Sequence, residues 1–329
     1  MSSKLLGGLT RRDFLRGTAL GALGWGAVVG AGCTRQSGEL PAQAAPTTAS
    51  GPRPRVVVAR DAAVISDDGQ RVDAARVKGL LTKALKRLTD EEPLLAALGR
   101  FVRSDDRVGI KQSVMMTPVH EELLWALWEA LEAVGIPAAN VVTWDRDQGH
   151  RGYRGGEAAA VSYDADHVAA ICSEFATVLF NVPGLKSHWV AGIGACLKNW
   201  AGAVSGLDIR DQNNTPWPIH GDSCADIGML QAHPSIQGKL RLCVVDALRP
   251  LCHGGPQVNP QYLWNYGGII VGTDAVAVDR VGLDIIQKRR NEVRGEEWPL
   301  SPPPKHIATA AAKYHLGEAN LDRIEVIEV

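Results

Sequence analysis

Three successive pieces of the chain decide its architecture: Val108-Gly-Ile-Lys111, then Pro118-Val-His-Glu-Glu-Leu-Leu-Trp-Ala-Leu-Trp-Glu-Ala-Leu-Glu-Ala-Val134, then Val141-Val-Thr-Trp144. The first and last are short apolar runs with β-branched residues, as buried strands require. The middle piece spaces its apolar side chains as a helix does. Pro118 suits a first helical turn, Glu121 and Glu122 favour the positive end of the helix dipole, and Gly135 is a stop. Strand, helix and strand in that order form the unit of a parallel sheet.

Working outward, residues 56–59, 177–182, 240–245, 269–271 and 324–327 read as further buried strands. Residues 72–88, 275–287 and 307–315 have helical spacing. The pattern predicts an α/β layered fold, with a largely parallel or mixed sheet flanked by helices, as a single domain over residues 55–329. Two long stretches, 146–165 and 206–238, are rich in Gly and Asp and are expected to be functional loops.

The N-terminus is of a different kind. Arg11 and Arg12 precede Phe14 and Leu15, and a weakly apolar Gly/Ala run extends to Gly32. A basic segment followed by a short apolar one is an export signal, and the paired arginines mark the twin-arginine route. The signal ends Gly30-Ala-Gly-Cys33, which resembles a lipoprotein cleavage box and makes Cys33 the candidate lipidation site. Cleavage without lipid, there or near Ala44, is the alternative. Residues 34–54 hold few large apolar side chains and read as a flexible tether. The expected location is periplasmic or cell-envelope, with the twin-arginine translocase as export partner and the membrane reached through signal or lipid.

Composition narrows the function. The chain is 45% apolar and 22% charged with a net charge of −1, and its basic signal leaves a mildly acidic body. Nucleic-acid binding is not expected without a concentrated basic face. Cys172, Cys196, Cys224, Cys243 and Cys252 remain beyond Cys33, and none forms a C-x-x-C pair, so no ferredoxin-type iron–sulfur motif is present. Serine-hydrolase, zinc-protease, nucleotide-binding and dinucleotide fingerprints are also missing.

The block Asn181-Val-Pro-Gly-Leu-Lys186-Ser-His188 is followed by Gly192-Ile-Gly-Ala-Cys-Leu-Lys198-Asn199 and later by Gly272-Thr-Asp274-Ala-Val-Ala-Val-Asp279. In this order the three motifs resemble the domain-of-unknown-function-362 family, and the resemblance extends over roughly residues 55–329. Gln112 and Ser113 stand where that family has Pro-Asn, and the cluster domain fused to some members is missing. The resemblance marks a site and implies no particular reaction.

The residues suggest the chemistry. Strand ends of an open α/β sheet are where ligands bind. Lysines and amides gathered there would hold a carboxylate or phosphate. His188, Lys186 and Lys198 form the expected catalytic set, with His188 as acid/base and the lysines holding an anionic small molecule. Lys111, Asn181, Asn199, Asp246, Asp274 and Asp279 complete the expected ligand-binding set. Asp274 also reads as the N-cap of the helix after it, and Asp279 is expected to face Lys198 or Arg280. Asp145, Asp147 and His150 are the candidate ligands of a divalent metal. Trp189, Trp200, Trp217 and Trp264 could line an organic-ligand pocket. A metal-assisted enzyme and a non-catalytic protein both satisfy these residues. The second would be a ligand-binding or cofactor-maturation protein, or an accessory subunit of an exported redox complex.

Overall fold

A computed structural model of the chain describes residues 52–329 apart from 116, 155, 206–207, 211–215 and 256. The expected export signal, Cys33 and nearly all of the tether lie outside the described residues. The strands are β1 (Arg55–Arg60), β2 (Val108–Gln112), β3 (Val141–Asp145), β4 (Gln148–Arg151), β5 (Glu157–Ala160), β6 (Val178–Val182), β7 (Gly184–His188), β8 (Gly192–Gly194), β9 (Asp208–Arg210), β10 (Pro216–Pro218), β11 (Leu240–Leu251), β12 (Gly268–Gly272) and β13 (Glu325–Glu328). The helices are α1 (Ala74–Thr89), α2 (Leu94–Gly99), α3 (Glu121–Val134), α4 (Cys196–Asn199), α5 (Gly228–Ala232), α6 (Pro234–Gln237), α7 (Ala275–Arg294) and α8 (Lys305–Ala312).

The main sheet runs β13-β1-β12-β11-β6-β2-β3-β4-β5, with β7 beside β11 and β8 beside β7. Its centre, β11-β6-β2-β3, is parallel, whereas β12 is antiparallel to both neighbours and β4 and β5 are antiparallel at the far edge. The sheet is therefore mixed, within the expected α/β class.

Alternation along each strand splits the core into two layers. Val57, Ile110, Phe180 and Val244 face α1 and α3, while Val56, Leu179, Cys243 and Ile270 face α4, α7 and α8. Trp128 Nε1 on α3 donates to Thr143 Oγ1 on β3 at 3.1 Å, which ties that helix to its strand.

Several elements differ from expectation for identifiable reasons. α3 begins at Glu121, not Pro118, because His120 is held extended as the N-cap by Asp246, which accepts from its N–H (2.7 Å) and pairs with its ring Nδ1 (2.8 Å). Residues 146–165 are not one loop: β4 and the edge strand β5 form there, mostly exposed and without large apolar side chains. Residues 206–238 hold the β9–β10 hairpin and the short helices α5 and α6. β7 and β8 escape recognition because each holds a single large apolar residue, Leu185 or Ile193, among polar residues and glycines. β11 runs six residues past its expected end, since β7 continues the pairing that β6 begins. No helix among the described residues is long and apolar enough to cross a membrane.

Candidate functional site

The strand order places a crevice. From β2 the chain moves to β3 on one side and then to β6 on the other, so their carboxyl ends diverge as an open α/β sheet requires for ligand binding. Lys111, Asp145 and Asn181 sit at or near those ends. Lys111 is fully buried, and its Nζ donates to Asp145 Oδ1 (2.7 Å), the Gln112 carbonyl (2.8 Å) and Asn199 Oδ1 (3.3 Å). Burial lowers the Lys111 pKa, and Asp145 offsets part of that shift. Asp145 also accepts from the Val114 N–H at 3.0 Å. A side chain at Gly202 would meet Asp145 Oδ1 at 2.1 Å, so only glycine lets residues 200–203 close over this pair.

A second set of bonds fixes α4. Asp279 on α7 accepts the N–H groups of Cys196 (2.6 Å) and Leu197 (2.9 Å). It caps that short helix and does not face Lys198 or Arg280. Burial raises the Asp279 pKa to about 7 against the pull of those donors. Asn181 donates to the Cys196 carbonyl (2.9 Å), and Asn199 Nδ2 donates to Asn181 Oδ1 (2.8 Å) and the Lys111 carbonyl (3.0 Å). Asp274 is the N-cap of α7, as expected, and also accepts from Glu318 N–H.

Above this framework lies a cleft of about 430 Å³, within the range of small-molecule sites. Lys186, His188, Lys198, Asn199, Asp145 and Arg146 are among its lining residues. Lys186 and His188 are two apart on β7 and share a strand face. Opposite Lys186 stands Gly194, whose missing side chain leaves room for the lysine stem. Lys186 Nζ is near Ser113 Oγ (3.1 Å) and the carbonyls of Thr117 (3.4 Å) and Gly184 (3.5 Å), all uncharged. Its burial pushes the pKa down to about 8. Burial also lowers Lys198, whose Nζ lies 3.3 Å from His220 Nε2.

His188 Nδ1 accepts the N–H groups of Val190 (3.1 Å) and Ala191 (3.2 Å), which assigns the ring proton to Nε2. Burial, with Lys198 and Lys186 nearby, pushes its pKa down to about 3. The ring is thus a neutral N–H donor at ordinary pH.

The structure sorts the expected site residues. Lys186, His188, Lys198 and Asn199 reach the cleft, and Asp145 lines it while committed to Lys111. Lys111, Asn181, Asp246, Asp274 and Asp279 are not among the lining residues; each is occupied by the structural bonds described above. Asp147 and His150 are exposed, and no three His, Cys, Asp or Glu side chains among the described residues converge as a metal would need. Asp145 gives its oxygens to Lys111 and Val114, so the expected metal set is not assembled and no chemical step is assigned to it. Of the tryptophans, Trp189 lines the cleft, Trp200 is buried against Gln231, and Trp264 packs beside Tyr266 elsewhere. The Trp217 side chain lies outside what is described.

Three participants were not foreseen. Arg146 enters the lining because its left-handed backbone (φ 54°) turns the chain between β3 and β4. Ser113 meets Lys186. His306 on α8 is fully buried, and neither ring nitrogen has a hydrogen-bond partner among the described residues. Burial and nearby Lys198 push its pKa down to about 4. Nothing in local sequence distinguishes His306 from a surface histidine at a helix start.

The strand β6 that carries Asn181, the Lys186/His188 hairpin and the Lys198–Asn199 helix thus converge in the order the motifs occur. Residues 132–284 match the family described as Domain of unknown function (DUF362). The matched DUF362 region contains all three motifs on which the resemblance rests and supports it. No curated protein and no solved structure matches the chain.

Proposed function

We propose that the cleft binds a small organic anion through a carboxylate or phosphate group. One observation carries the reading: Lys186, Lys198 and Arg146 line one cleft, and no carboxylate among the described residues lies within ion-pair reach of either lysine. Asp145, the acidic group of the lining, is already paired with Lys111. Buried cations without counter-ions are costly in the empty protein, and an anionic ligand relieves that cost. Lys186 and Lys198 supply charge, and His188 donates its Nε2–H to an oxygen of the ligand. Its low proton affinity suits a neutral hydrogen-bond donor and replaces the acid/base role expected from sequence. Trp189, 67% exposed beside His188, offers an apolar edge to the organic part.

We further propose that the protein acts outside the cytoplasm after twin-arginine export, with Cys33 as its lipid attachment point. Support comes from Arg11–Arg12 and the apolar run that follows.

The anion reading is tested by a thermal-shift screen of carboxylated and phosphorylated metabolites against the wild type and the double variant Lys186→Ala/Lys198→Ala. Stabilisation by a subset of anions should vanish in the variant. Full retention of ligand-induced stabilisation by the variant would refute the reading.

A further inference from the structure

Lys186 is more than a fixed positive charge. The residue is buried, yet it borders a cleft large enough for a metabolite. It has three neutral oxygens around it, two of them at the edge of hydrogen-bond reach. Lys111, by contrast, is sealed under residues 200–203 and locked to Asp145, and Lys198 is in contact with His220. A lysine kept dry beside other cations gives up its proton more readily than a solvated one, and the free amine so released is the form that attacks a carbonyl. Two residues along the same strand face, His188 presents a neutral Nε2–H able to polarise a carbonyl oxygen. Lys198 and Arg146 remain to hold an anionic group.

We propose that Lys186 forms a Schiff base with the carbonyl carbon of an anionic aldehyde or ketone bound in the cleft. The lone pair of the Lys186 amine attacks the carbonyl carbon, and the C=O π electrons move to oxygen. Proton transfer from nitrogen to oxygen gives a carbinolamine. The proton that the ammonium releases to solvent before attack returns to the carbinolamine oxygen; the C–O bond then breaks, water leaves, and the nitrogen lone pair closes the C=N bond of the iminium. Overall, the lysine ammonium and the carbonyl compound become an iminium and one water. The inference rests on the anion-binding reading and adds the carbonyl requirement.

The test uses pyridoxal 5′-phosphate, which pairs an aldehyde with a phosphate, and pyridoxine 5′-phosphate, which keeps the phosphate and lacks the aldehyde. The protein is treated with limiting aldehyde and cyanoborohydride, and labelled peptides are mapped. Lys186 should be labelled at least tenfold faster than any exposed lysine at pH 7. The free-amine fraction behind this is roughly three hundredfold larger than for an ordinary lysine. Pyridoxine 5′-phosphate should stabilise the protein and slow the labelling. If it binds but the label falls on Lys198 or surface lysines and spares Lys186, the Schiff-base proposal is overturned and the anion reading stands. If neither compound stabilises the protein and labelling is indiscriminate, both are overturned.

Discussion

Asp145→Asn should cost about 3 kcal/mol of folding stability, read as a fall in the urea midpoint at pH 7. The substitution keeps the shape of the side chain and an oxygen for the Val114 N–H, and removes the charge facing Lys111. Lys111 is fully buried, and its remaining acceptors are the Gln112 carbonyl and Asn199 Oδ1. An ammonium left there without a counter-charge is among the costliest arrangements in a protein interior. Adding Lys111→Met should recover most of the loss, because replacing both members of a buried pair is close to neutral. A loss under about 1 kcal/mol for the single change, with no recovery in the double, would show that the pair does not hold the strand ends together.

Lys186→Met should act in the opposite direction. Lys186 falls from an ordinary 10.5 to about 8 in the folded chain because it is buried. The unfolded state therefore binds the extra proton between those values, and the wild type gains stability as pH rises from about 8 to 10.5. Below pH 8 the folded protein carries the full cost of the buried charge, on the order of 3 kcal/mol. The methionine variant should thus be more stable at pH 7 by up to that amount. Its advantage should shrink across the window and disappear above it, while anion-induced stabilisation is weaker than in the wild type below about pH 8. In the wild type, anion affinity should decline as pH rises through about 8, when the charge on Lys186 is lost. A variant that is less stable than wild type at pH 7, by an amount independent of pH, would make Lys186 a structural anchor. A gain in stability paired with lost binding is the usual sign of a side chain kept for its function.

These two lysines illustrate what the sequence makes legible. The β-branched runs at 108–111, 141–144 and 269–271 reveal buried strands because every residue there faces a core. Lys186, His188 and Lys198 stand out for the complementary reason: polar side chains interrupt apolar stretches at strand and helix ends, where packing alone would not select them. The same polarity hides the β7–β8 hairpin that carries two of them. The Lys111–Asp145 pair is invisible from spacing, since it depends on β2 and β3 lying side by side in register. Asp246 and Asp279 look like ligand-binding carboxylates in the chain, but Asp279 accepts from backbone N–H groups of a distant segment and Asp246 holds the N–H and ring of distant His120. Arg146, Ser113 and His306 reach or approach the site through turns and helix placement set only by the full fold.

The position of the anion in the complex tests the central claim most directly. A crystal structure grown with a saturating concentration of the strongest anion from the thermal-shift screen should show its carboxylate or phosphate between Lys186 and Lys198, with an oxygen accepting from His188 Nε2. An anion bound elsewhere on the molecule, with this cleft filled only by water, would contradict the account.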